Sequence, residues 1–184
     1  MGATGWSYFV PYQQDINTAL EELKDEVFEQ GQYEQPFNFD QNEVEGQLDY
    51  LASVYESLPD EIREHTNQFL ELARAAAKQQ RPKQTPRSIK QLLKRCGTEG
   101  THSILDIEKV SSTPAFGAIA SLPRERLLDI FGTEQPTHDM VEKWSTRMDP
   151  PDVEPLYERW EGIYIVVYED TKPVEIYFEG CSGD

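Results

Sequence analysis

The sequence predicts an α+β domain: a mainly antiparallel sheet of about four strands with five or six packed helices. Three observations predict it. Runs rich in β-branched and aromatic residues stand near both ends of the chain and in its middle. Between them lie stretches with apolar residues at helical spacing. The 184 residues are enough to bury a core without staples, so the whole chain, 1–184, reads as one domain.

Taken in order, residues 6–12 ("WSYFVPY") read as a strand stopped near Pro11. Asp15 then offers an N-cap, Ile16, Leu20, Leu23 and Val27 follow at helical spacing, and Gly31 closes the helix. The segment 32–43, with Pro36, has no stable period and reads as a loop. Val44, Leu48, Leu51 and Tyr55 mark a second helix, weakened at its start by Gly46. Ser57 and Pro59 open a third, whose inner side takes Ile62, Phe69, Leu70, Ala73 and Ala76.

The stretch near 81–97 is a basic, Pro-containing linker followed by a short helix. Ser88 caps it, Ile89, Leu92 and Leu93 face inward, and Gly97 ends it. "THSILDIEKV" (101–110) reads as a strand with Ser103, Leu105 and Ile107 on one face and His102, Ile104 and Asp106 on the other. "SSTPAFGAIA" (111–120) reads as a loop, and Ser121 as the cap of a helix running to Phe131. Thr137 caps another to about Arg147, and Val153, Leu156, Tyr157 and Trp160 suggest one or two further turns. At the C-terminus "GIYIVVYED" and "PVEIYFEG" flank Asp170-Thr171-Lys172 as a hairpin that should pair with the first or the middle strand. Its first strand is apolar on both faces; its second, alternating Val174, Ile176 and Phe178 with Glu175, Tyr177 and Glu179, reads as half-exposed.

Charge is the strongest functional signal. The 34 acidic against 17 basic residues give a net charge of -17, which repels nucleic acid and anionic membranes. Yet Leu72 to Thr98 contains no acid and eight cations: Arg74, Lys78, Arg81, Lys83, Arg87, Lys90, Lys94 and Arg95. Three readings of this segment stay open. It lies against the protein's own acidic surface, it is an exposed patch for nucleic acid or phosphate, or it docks an acidic protein. The absence of aromatics between Ala73 and Cys96 counts against nucleic acid. Arg81, Lys83, Arg87, Lys90 and Lys94 are the candidate contact residues. Tyr33, Phe37 and Phe39, in a loop where no period forces them inward, are candidate interface anchors, with closure of the core as the competing reading.

Catalytic motifs are scarce. His65 reads as a solvated helix residue. His138 sits in a first helical turn, where a neutral imidazole is more at ease than a cation. Cys96 with His102 could act as thiol and base, and Asp106 lies close in sequence. Asp106, Glu108 and Lys109 miss the spacing of a nuclease metal site, and no phosphate loop, HExxH or GxSxG is present. No metal or cofactor is implied. Cys96 and Cys181 match no ligand spacing, and without a secretory pattern they are expected as free thiols in a cytoplasmic protein. The longest apolar run, Ile163 to Tyr168, is far short of a membrane span.

The stretches "GWSYFVPYQQDINTALEELKDEVF" and "GTHSILDI…LLDIFGTEQPT" resemble stretches of uncharacterised bacterial proteins, and the resemblance implies no activity. The reading that follows is a non-catalytic acidic binding protein (an inhibitor, an immunity or antitoxin-like factor, or an adaptor) that acts on a basic protein. The alternative is a small hydrolase or transferase with a scattered site around Cys96, His102 and Asp106.

Overall fold

The structure, a computed structural model, describes residues 4–34, 41–55, 60–79, 86–146 and 156–182. By internal contacts the chain divides into two compact units, residues 1–36 with 87–184, and residues 37–86.

The larger unit is a five-stranded sheet with helices on both faces. Its strands are β1 (Thr4–Pro11), β2 (Lys109–Ser111), β3 (Ala118–Ser121), β4 (Glu161–Glu169) and β5 (Lys172–Ser182). They lie in the order β1-β5-β4-β3-β2. β5 runs antiparallel to both β1 and β4, so the C-terminal hairpin does pair with the first strand, Trp6 opposite Gly180 and Phe9 opposite Tyr177. β4, β3 and β2 run parallel. The α+β class therefore stands, and so does the mainly antiparallel character, since the two antiparallel ladders are the long ones. Short parallel pairings at β3 make the sheet five-stranded and mixed rather than purely antiparallel.

Two local features produce that difference. "AIAS" of β3 lies inside the segment expected to be a loop; its first three residues are buried, and a strand covered on both faces has no polar alternation to reveal it. The expected middle strand mostly fails to form. Ser103 Oγ accepts from Leu105 N at 3.3 Å and starts a 3₁₀ turn at Ile104–Asp106, leaving only β2 for the sheet. Short polar side chains that bond the nearby backbone compete with strand pairing. The two expected faces of that segment are consequently lost: Ser103, Ile104, Leu105, Asp106 and Ile107 are all buried.

Alternation along the strands sends side chains to two cores. Trp6, Ile119, Ile176 and Phe178 face α1 (Ile16–Gln30), α4 (Ile89–Cys96) and the 3₁₀ turn. Tyr177, Ile163, Ile165 and Val167 face α5 (Arg124–Phe131) and α6 (His138–Ser145), with Phe9 packed at the margin. β5 is thus covered on both sides, where a half-exposed strand was expected. α1 forms as its sequence dictates: Asp15 Oδ1 accepts from Asn17 N, and Gly31, at φ 68°, makes the left-handed C-cap. Ser88 caps α4 in the same way. α5 begins after Pro123, not at Ser121, because Ser121 is the last residue of β3. Leu156, Tyr157 and Trp160 form no helical turn; they approach β4 through bends, and Trp160 has φ 66°.

The smaller unit is a helix pair, α2 (Gln41–Tyr55) and α3 (Asp60–Gln79). Leu48 and Leu70 are buried. Phe69, expected to face inward, is 66% exposed, and Tyr50, Leu51, Val54 and Leu72 are also exposed. Arg74 pairs with Asp49 across the two helices at 2.6 Å. No described helix is long and apolar enough to cross a membrane.

Candidate functional site

Beside the β1–β5 ladder, on the side of the sheet that carries α6, lies a cavity of about 210 Å³. Four segments build it. β1 brings Gly5 and Ser7, β5 brings Tyr177, Glu179 and Gly180, the C-terminal end of α6 brings Ser145, and the bend before β4 brings Tyr157. Tyr177 and Glu179 share a face because strand side chains repeat every second residue. Their carboxylate and hydroxyls form one network. Tyr157 donates to Glu179 Oε1 at 2.6 Å, and Tyr177 donates to Glu179 Oε2 at 2.8 Å.

Each carboxylate oxygen thus holds one phenol, which fixes the headgroup. Burial first, and then the Glu179 charge, push both phenols far above the ordinary tyrosine range. They remain protonated donors, which argues against a tyrosinate nucleophile. Ser7 and Ser145 line the same cavity, and the Ser145 hydroxyl donates to Glu142 O at 2.9 Å. Burial likewise raises the neighbouring Cys181 thiol, which donates to Glu158 O at 3.3 Å. No ion pair to Glu179 occurs among the described residues. Among the described residues Glu179 is the carboxylate that lines the cavity.

The residues singled out from sequence fall elsewhere. Arg81, Lys83, Phe37 and Phe39 lie outside the described residues. Arg87, Lys90 and Lys94 are exposed, one to two turns apart, while Leu92 and Cys96 fill the opposite side of α4. None of these three cations forms an ion pair among the described residues. Tyr33 stacks on Phe28, centroids 5.7 Å apart at 8°, and packs at the margin of the α1 core.

Cys96, His102 and Asp106 do not line the cavity. Cys96 is buried in the core between α4 and α1. His102 Nδ1 bonds Thr4 Oγ1 at 2.8 Å and lies 3.5 Å from Glu34. Asp106 accepts from Thr101 N, Thr101 Oγ1 and Ser182 Oγ. Its carboxylate ties a loop to the end of β5, which is structural work. His138 departs from expectation. Its Nδ1 lies 2.7 Å from Glu175 Oε2, and that bond holds the imidazole above its ordinary pKa. Among the described residues no group of three His, Cys, Asp or Glu side chains could hold a metal ion.

Sequence pattern does not reveal the cavity residues, because the alternation of β5 puts Tyr177 and Glu179 on a half-exposed strand and the spacing around Tyr157 suggests a helical turn. The available signal was an aromatic flanked by two acids on one face of the strand, Glu175-x-Tyr177-x-Glu179. Comparison with protein-family models, with curated proteins and with solved structures finds no match to this chain.

Proposed function

We propose that this chain is a non-catalytic binding protein whose acidic surface engages a basic protein partner. The outer face of α1 is the observation that carries this reading. Glu21, Glu22, Asp25, Glu26 and Glu29 are all exposed there, and one cation, Lys24, pairs with Glu21 at 2.9 Å. Glu22 and Glu26, and Asp25 and Glu29, are like charges at i,i+4, each pair opposing the helix by roughly 0.2–0.5 kcal/mol. A cationic partner relieves that repulsion and gains association rate from the field. The exposed apolar side chains on α2 and α3 support protein contact further. The commitments of Cys96, His102 and Asp106 to packing and hydrogen bonds weigh against the hydrolase or transferase alternative.

Affinity capture tests the reading. Immobilised wild-type protein should retain a basic protein from the source organism and release it as salt rises. A variant with Glu22, Asp25, Glu26 and Glu29 changed to Gln should fold at least as stably and lose that partner. Retention of the same partner by the variant would sink the α1 reading.

A further inference from the structure

The cavity is too small for a nucleotide or a drug-sized ligand, whose sites run from roughly 300 to 1,000 Å³. Its 210 Å³ suits the end of one side chain. Among the described residues it offers one carboxylate, two phenols and two serine hydroxyls, and no ion pair to that carboxylate occurs among them. A neutral ligand would leave that charge uncompensated, and an anion would be repelled by it. Because Tyr157 and Tyr177 already hold one contact to each Glu179 oxygen, the carboxylate is oriented before any ligand arrives.

We propose that this cavity is an anchor pocket for one guanidinium group, an arginine side chain of the basic partner, with Glu179 as the counter-charge and Ser7 and Ser145 as flanking acceptors. The inference rests on the binding reading and deepens it. Guanidinium is favoured over ammonium because its planar fork matches a carboxylate and stacks on an aromatic ring such as that of the half-buried Tyr157. Raised phenol pKa values agree with this, since the protonated tyrosines stay hydrogen-bond donors to Glu179.

The probe is N-acetyl-arginine amide, titrated into the full chain and followed by amide chemical shifts. Saturable shifts at Ser7, Tyr177, Glu179 and Gly180 are expected at millimolar concentration, about what one side chain provides. N-acetyl-citrulline amide, the neutral isostere, should give none. Glu179→Gln should weaken binding at least about tenfold, because a charge-assisted contact is lost. Should Glu179→Gln unfold, Ser145→Leu fills the rim from an exposed helix end and should abolish the same shifts. Equal shifts with the citrulline analogue, or unchanged affinity in a folded variant, would overturn the proposal. Tighter binding of free arginine than of the blocked form would overturn the partner side chain as the source. Captured basic partner together with a silent arginine titration would remove the pocket and leave the α1 reading standing.

Discussion

The hydroxyl of Ser182 and the carboxylate of Asp106 lie 2.5 Å apart, joining the end of β5 to the loop before β2. The same carboxylate accepts from Thr101 N and Thr101 Oγ1, and both residues are buried. Asp106→Ala should therefore cost about 3–5 kcal/mol, the range for stranding buried polar partners in a charged network. Ser182→Ala, which removes one donor, should cost about 1–3 kcal/mol. Urea denaturation checks both. A loss below about 0.5 kcal/mol for Asp106→Ala would show that the network contributes little.

Gly180 has a different reason for its identity. A Cβ there would stand 2.4 Å from Trp6 Cζ2 and 2.6 Å from the Glu161 carbonyl oxygen. The backbone oxygen cannot retreat without breaking the β4–β5 ladder. Gly180→Ala should destabilise by roughly 1–3 kcal/mol and shift the emission of Trp6. Gly31→Ala is a useful contrast. It meets no neighbour, so its cost comes from the left-handed φ of 68° alone. A smaller loss for Gly180→Ala than for Gly31→Ala would contradict the crowding argument.

Legibility followed the locality of the signal. Asp15, the spaced apolar residues and Gly31 specify α1 within one stretch of chain, and the hairpin turn at Asp170-Thr171 is equally local. β3 was illegible because "AIAS" shows a strand only once β2 and β4 flank it. The 101–106 segment carries strand-like residues, but the hydrogen bonds of Thr101, Ser103 and Asp106 settle its conformation. The cavity was least legible of all. Its parts come from β1, α6, the bend at Tyr157 and β5, which no spacing rule connects.

The His138–Glu175 pair fixes a pH dependence. Glu175 chiefly, then Glu142 and Asp139, raise the folded imidazole above its ordinary value near 6.5. A raised folded pKa means that the folded state binds the proton more tightly than the unfolded one. The stabilisation is fully present below about pH 6.5 and fades as pH rises through the folded value. His138→Gln should flatten this part of the stability curve, measured as wild type minus variant between pH 5.5 and 8. The imidazole is 43% exposed, so solvent screening keeps the difference under about 1 kcal/mol. A difference that grows with pH would reverse the assignment.

β5 determines how the chain tolerates shortening. It lies second in the strand order, bonded to β1 along Thr4–Pro11 on one side and to β4 along Glu161–Glu169 on the other. Ile176, Tyr177 and Phe178 are each at most 1% exposed, and they supply both cores. Removing residues 173–184 would strip β1 of its only partner among the described strands and expose the edge of β4. Neither strand can recover those bonds elsewhere, so the truncated chain should lose cooperative unfolding and near-ultraviolet dichroism. Phe178→Ala tests the same element more gently, with an expected loss of about 3–5 kcal/mol for a buried aromatic. A folded truncate with an unchanged melting temperature would contradict the topology. A small loss for Phe178→Ala alone would instead show that the α1 core collapses around the missing ring.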